Sequence, residues 1–468
     1  MYTPASWGLL PPEIISHVYT FVDNWQAFSL INWQCYHITR LDCRIAEPLT
    51  IRALTQRKNR NLLNITARRT FCLNLNSQTV PVKILKEISR HLPHLRFLNL
   101  NLGIDLSSKK LRQLKRLKEL RGLDIGQFVY QNDSLISLSS CSKPLNLDFL
   151  SHHPKLEYLN LSGWSYQQSE LEKLNYVPSL KALELKHPWS SNMNDLEFLQ
   201  HVPNLEALSL GFGKTSLQPD SLRALRHIPR LTYLDLNSSG LRGSDLKYLQ
   251  LTPNLRTLSI GSTRKKGNLI LESHLGHLRH ASKLIKLDLS QSRCSNLALE
   301  YFSYLPGMEE LSLLGCRNIT DRGLDCLKHA SRLQTLTLGP FSWNSQSEVN
   351  IAHQRASETL ITDHGVEKLQ ALRDLRCLKF VFCSGITQRS CELLKGNENL
   401  RILKFYHCAL IGESSLRHLQ KLKNLSELVI HQCQFIEEDK IRTLKEKLPN
   451  TKITYISPED FLTFTTKK

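Results

Sequence analysis

The sequence has no apolar run approaching the ~18 to 20 residues that a bilayer crossing requires, and Met1 to Gly8 lacks the basic and apolar segments of a secretion signal. The expectation is a soluble chain that is not exported by the usual route and has no membrane partner. Its 12 cysteines include no Cys-x-x-Cys pair, and a chain of 468 residues does not depend on the disulfide staples of small secreted domains. Reduced thiols in the cytoplasm or nucleus are expected. No Gly-rich phosphate loop, His-Glu-x-x-His or Gly-x-Ser-x-Gly is present, and only eleven residues follow Ser457, so the reading is a noncatalytic protein without cofactor or metal. Acids are also scarce. Asp plus Glu total 42 against 61 Lys plus Arg, a formal charge of +19, which favours acidic partners wherever the excess is gathered on one face.

Apolar residues make up 41% of the chain and charged ones 22%, enough to bury a core over two or three domains or one repeat array. A repeat decides between these. Leu-x-x-Leu-x-Leu occurs at Leu95, Leu98 and Leu100, again at Leu120, Leu123 and Ile125, and so on through Leu425, Leu428 and Ile430, thirteen strong copies in all. Most are 24 to 26 residues apart. Three longer intervals place insertions in loops, at Gln127 to Cys141, around Arg264, Lys265 and Lys266, and at Phe341 to Thr359, where Trp343 is a large anchor in a polar loop. Weaker copies stand at Leu73 and Leu75 and at Ile453 and Ile456.

Within a unit, x-Leu-x-Leu alternates as a strand does, while pairs such as Leu222 and Leu225, or Leu416 and Leu419, have the three-residue spacing of a helix face. Prolines such as Pro154, Pro178, Pro203 and Pro229 stop each helix before the next strand. One unit cannot cover its own leucines, whereas stacked units can, with strands ~4.8 Å apart in a parallel sheet. Helices are wider than strands, so a right-handed α/β solenoid is expected to curve with its strands inside.

This pattern resembles the leucine-rich-repeat family over about residues 70–456. Leu311-Ser-Leu-Leu-Gly-Cys316, Ile319-Thr-Asp-Arg-Gly323 and Ile361-Thr-Asp-His-Gly365 are similar to its cysteine-containing subclass, frequent in ubiquitin-ligase substrate receptors. Cys316, Cys383, Cys408 and Cys433 each lie eight residues after the first apolar position of their unit, where other units have Gly103, Trp164, Pro188 or Gly213. Cys383, Cys408 and Cys433 stack in a single row, which does not converge as zinc ligands must, and are read as buried thiols.

Residues 1–45 do not fit the repeat. Pro11 and Pro12 suit a first helical turn, Glu13 favours the positive helix start, and Ile14, Val18, Phe21 and Val22 form one apolar stripe, giving a small helical head. The order Leu10-Pro-Pro-Glu-Ile-Ile15, an aromatic-rich helix and Leu30-Ile-Asn32 resembles an F-box. The resemblance implies a Skp-type adaptor of a cullin ubiquitin ligase as partner, with Leu10, Pro11, Glu13, Ile14, Ile15, Val18 and Phe21 at the contact. Capping the open end of the stack is the alternative role. Residues 46–69 then form a linker and cap, 70–456 the solenoid and 457–468 a tail.

The residues flanking the strand leucines build the inner face. Its acids are Asp124, Glu184, Asp235, Asp288, Glu310 and Glu427, and its bases Lys186, Lys286, Lys379 and Lys404, a net of about −2 that disfavours nucleic acid along it. Phe97, Tyr158, Tyr233 and Tyr406 are its large side chains; they either contact a protein partner or lie over neighbouring strands. Lys379, Lys404, Tyr406 and His431 cluster in the last units, where an acidic or phosphorylated segment could be read or the charge simply solvated. The densest basic run, Lys109, Lys110, Arg112, Lys115, Arg116, Lys118 and Arg121, contains only one acid, Glu119, and is read as a solvated face on the outer surface, with weak polyanion binding the alternative, so nucleic acid is not the expected partner.

The resemblances together imply a noncatalytic substrate receptor of a Skp-cullin-F-box type ubiquitin ligase that holds a protein substrate on the concave face. A binding scaffold or inhibitor without ligase association is the alternative.

Overall fold

The computed structural model describes residues 72–74, 82–100, 107–126, 128–131, 134–137, 145–164, 167–186, 195–211, 217–237, 239–261, 272–340, 361–434 and 436–457. The head, with Leu10, Pro11, Glu13, Ile14, Ile15, Val18 and Phe21, lies outside these residues, as do the second and third insertions.

Fifteen strands, from Cys72–Asn74 to Lys452–Ile456, pair in parallel and in chain order, forming the curved sheet of a leucine-rich-repeat solenoid. Register follows the repeat. Leu98, Leu123, Leu159, Leu183 and Leu208 are paired in one unbroken row that continues to Leu428 and Ile453. A second row runs from Leu185 and Leu210 through Leu313 and Leu338 to Phe380, Phe405 and Ile430. Side chains alternate across a strand, so both rows enter the core while their neighbours take the opposite face. The row leucines are almost wholly buried, each removing on the order of 1.5 to 3 kcal/mol of apolar surface cost before entropy is counted.

Three details differ from the sequence reading. Part of the first insertion is an antiparallel hairpin, Phe128–Gln131 with Ser134–Ser137, rather than loop. In the last strand Tyr455, not Ile456, pairs with Ile430 in the core row, and Ile456 pairs with His431 on the other face. The outer wall is also largely 3-10 helix in the middle of the stack, as at Glu197–His201, Ser221–His227 and Gly243–Leu251. Leu222 and Leu225 are spaced by one turn of a 3-10 helix, so the three-residue period was a direct sign of it.

The wall then changes by steps. Four α-helical residues at Glu272–Leu275 are followed by five in 3-10 form, whereas Asp321–Cys326 has six followed by three, and Glu413–Leu419 and Glu438–Lys447 are α-helical. Thr320, Thr362 and Thr387 start the helices Asp321–Cys326, Asp363–Lys368 and Gln388–Leu393, each side chain accepting a hydrogen bond from the backbone N–H two residues on. The helix starts are tied between units. The Asp321 carboxylate accepts from the Thr362 N–H at 2.8 Å and hydroxyl at 2.6 Å, and Asp363 does the same for Thr387 at 3.0 and 2.7 Å. The third insertion separates Asp321 from Thr362 in sequence but leaves their contact in place.

Candidate functional site: the concave face

The concave face begins with an apolar layer separate from the core, formed by Phe97, Tyr158, Ala182 and Ala207 with Tyr233 against them. These five occupy one register row, from Phe97 through Gly122, Tyr158, Ala182 and Ala207 to Tyr233. Phe97 and Tyr158 lie down on the sheet, 8% and 3% exposed, and stack with ring centroids 6.0 Å apart. Both rings therefore cover neighbouring strands. Tyr233, beside the small Ala207, keeps more of its ring accessible.

The acids of this half are buried rather than presented. Asp124, Asp235 and Asp288 each accept a hydrogen bond from the backbone N–H two residues on, at 3.0, 2.9 and 2.9 Å, as Asn160 does for Ser162. Such local turns satisfy the strand end that the ladder leaves behind. Asp235 also binds Lys186 Nζ at 2.6 Å. Glu184 accepts from the Tyr158 hydroxyl at 2.9 Å. Burial, reinforced by the charge of Asp124, pushes its carboxyl up to about 8. Burial likewise raises the Asp288 carboxyl. The inner-face charge count thus overstates what a partner would meet: Asp124, Glu184, Asp235 and Asp288 serve the sheet itself.

A second apolar cluster, Val381 and Phe382 with Leu314 and Tyr406, lies where the later strands end. Phe382 stacks on His407 at 4.4 Å, and Tyr406 and His407 pack against His431 at 5.7 and 6.1 Å. Of the four residues proposed to cluster here, Tyr406 and His431 are adjacent in register and half-buried. Lys379 and Lys404 are adjacent in the neighbouring row. Lys404, however, is 8% exposed and bound to Glu427 at 2.9 Å, so it is already neutralised within the sheet. Lys286 is paired with Glu310 at 2.6 Å in the same way.

Phe382 and His407 are not legible in the sequence as residues of this rim, and the backbone explains their prominence. Phe382, His407 and Gln432 have φ of 55°, 51° and 49°, the left-handed region occupied in other units by Gly163 and Gly315. All five stand seven residues after the first leucine position of their units. Each donates its N–H to the next unit, Phe382 to Tyr406 at 2.8 Å and His407 to His431 at 2.9 Å. The strain, of order 1 to 2 kcal/mol per non-glycine residue, is offset by a ladder bond continued past the strand. It also turns two rings onto one rim.

One residue further on, the cysteines are buried, and their thiols donate to the core carbonyl of the preceding unit: Cys316 to Leu289, Cys383 to Leu338, Cys408 to Phe380 and Cys433 to Phe405, at 3.2 to 3.8 Å. Trp164 occupies the same place and donates its indole N–H to Ile125 at 2.6 Å. Thiol and indole do one job.

No protein-family profile and no curated protein matches the sequence. Similar solved structures include an internalin (inlF) from Listeria monocytogenes str. 4b F2365, 16% identical, over 80% of this chain and 88% of that one, with a TM-score of 0.47. The structure of a TLR13–ssRNA13 complex is 18% identical over 83% of this chain and 64% of that one, at 0.46. An internalin C2 (inlC2) from the same Listeria strain is 20% identical over 51% and 83%, at 0.34. Among the described residues no helix is long and apolar enough to cross a membrane.

Proposed function

We propose that the solenoid is a noncatalytic protein-binding receptor that holds its partner on the concave sheet. The observation that carries this is the pair of apolar clusters on that face, separate from the core and each bordered by aromatic rings that remain partly accessible, Tyr233 in the first and Tyr406 in the second. Aromatic side chains supply contact area at low ordering cost, and a row of strands from one rigid sheet positions them without loop rearrangement. The charges around them are mostly paired internally, which favours a partner read by shape and apolar contact over one read by charge. Affinity capture with the intact chain, compared with Tyr233→Asp, Tyr406→Asp and the outer-wall variant Tyr304→Asp, tests the reading. Partners lost in the first two variants and retained in the third support it; equal retention in all three refutes it.

We further propose, from Leu10-Pro-Pro-Glu-Ile-Ile15 and its resemblance to an F-box, that the head recruits a Skp-type adaptor, making the chain a ubiquitin-ligase substrate receptor. Tethering a target beside a charged ubiquitin-conjugating enzyme would act through effective concentration alone. Co-purification with the adaptor, abolished by Ile14→Asp with Ile15→Asp while the solenoid still melts normally, is the expected result. A chain that captures partners through Tyr233 and Tyr406 but binds no adaptor would instead be a scaffold or inhibitor.

A further inference from the structure

The outer wall carries a charge pattern set by the repeat. Leu111, Leu114, Leu117 and Leu120 are fully buried, and the residue two before each, Lys109, Arg112, Lys115 and Lys118, is exposed. In an α-helix, residues three apart are rotated by about 60°, so four of them would fan over half the circumference. In a 3-10 helix they eclipse, at a step of about 6 Å. Arg112–Arg116 is 3-10 helix, preceded by one α-helical turn at Ser108–Leu111, so Arg112 and Lys115 eclipse, with exposed Lys109 in the turn before them and exposed Lys118 just past the helix end, where its Nζ reaches the His152 carbonyl at 3.4 Å. Exposed Arg116 lies alongside.

Among the described residues, the acids nearby are already engaged. Glu119 holds Lys155 at 2.7 Å, Asp148 holds Lys173 at 2.7 Å and reaches Arg112 at 3.5 Å, and Glu87 is held by His91 and Arg90 at 3.1 and 3.4 Å. The preceding helix, Val82–His91, adds exposed Lys86 and Arg90 to the same side. A later unit with the same α-then-3-10 wall has Ser169, Glu172 and Asn175 two residues before Leu171, Leu174 and Val177, so the row is peculiar to one place rather than a property of the repeat.

We propose that Lys109, Arg112, Lys115 and Lys118 form a docking strip for the phosphate backbone of a nucleic-acid duplex. The step of about 6 Å from Arg112 to Lys115 is of the order of that between successive phosphates on one strand. What the strip offers is charge, and charge is what backbone binding uses, through counterion release. Bilayer docking and single-strand binding draw on apolar or aromatic side chains as well, and among the described residues the exposed large apolar ones, Tyr176, Leu297, Tyr304 and Leu410, belong to other units. Contacts of this kind carry no sequence preference. The strip lies on the opposite side from the concave face, so both can be occupied together.

The test uses the full chain and a fluorescein-labelled 20-base-pair DNA duplex of arbitrary sequence, with anisotropy read between 50 and 300 mM KCl. Binding should weaken steeply with salt, and Lys109→Gln, Arg112→Gln, Lys115→Gln and Lys118→Gln combined should lower the slope of log Kd against log salt by about 3 to 4. A control removes the same charge from the C-terminal units, Lys421→Gln, Arg442→Gln, Lys445→Gln and Lys447→Gln, and should leave most of the slope intact. All eight side chains are exposed, so both variants should keep the wild-type melting transition. Absence of duplex binding at 50 mM KCl overturns the proposal, as does equal loss in both variants. Row-dependent sedimentation with phosphatidylserine vesicles in place of duplex binding overturns it in favour of a membrane surface.

Discussion

Phe97 and Tyr158 stack on one another although a whole strand, Gly122–Asp124, runs between theirs. Gly122 is the residue of that strand in their row, and a Cβ there would collide with the Phe97 ring. The glycine is what lets the two rings close over it. Gly122→Val should push the pair apart and cost roughly 1 to 3 kcal/mol, as overpacking does. Urea unfolding measures this, and a loss under about 0.5 kcal/mol would show that the rings are not in contact through that gap.

Glu184 should make stability depend on pH in the direction opposite to a salt-bridged acid. Its folded carboxyl is held at about 8, against 4.5 when unfolded. Below 4.5 both states are protonated and the group contributes nothing. As pH rises toward 8 the unfolded chain ionises while the folded one resists, and stability falls; above 8 the loss is complete. Glu184→Gln keeps an acceptor for the Tyr158 hydroxyl and cannot ionise. Its stability relative to wild type should rise by on the order of a few kcal/mol between pH 4.5 and 8.5. A difference that stays constant with pH would contradict the buried, protonated state.

Gly323 and Gly365 are expected to resist substitution because of the unit that precedes each of them. A Cβ at 365 would meet the Asp321 carboxylate that secures Thr362, and one at 323 would meet Asn296, which receives the Thr320 N–H at 2.9 Å. Gly365→Ala should therefore cost about 1 to 3 kcal/mol despite alanine's better helix propensity. In an Asp321→Ala background the added cost of Gly365→Ala should shrink, and a double-mutant cycle reads that coupling.

The buried thiols should be chemically silent in the folded chain. Burial pushes Cys383 and Cys391 up to about 12, and Cys408 well above its usual range. Iodoacetamide at pH 8, followed by mass spectrometry, should leave these three unmodified in buffer and modify them in denaturant. Rapid labelling of Cys408 under native conditions would contradict its burial between the units.

The stacking of the units was legible in the leucines because core burial is periodic, and Leu98, Leu123 and Leu159 fall in register as their spacing implies. What the repeat could not convey lay in residues whose role depends on the adjacent unit. Asp124 and Asp235 look like partner-facing acids until the turn each one closes is seen. Trp164 and Cys408 look unrelated until both donate to a carbonyl one unit back. Phe382 and His407 were hidden because a left-handed backbone is announced by glycine, and these units use aromatic residues instead. The sequence leaves both roles open to the concave aromatics. Phe97 and Tyr158 proved to cover strands, whereas Tyr233 and Tyr406 kept an accessible edge.

The exchange of 3-10 turns for α-helix along the outer wall bears on how the solenoid bends. Strand spacing is fixed by hydrogen bonding, so the arc each unit subtends is set by its outer thickness, and α-helical turns are broader than 3-10 turns. Units from Asp321–Cys326 onward must therefore close more tightly than those around Ser221–His227. An elongated guest lying in the cavity would then be held more closely beside Phe382 and His407 than in the middle of the stack.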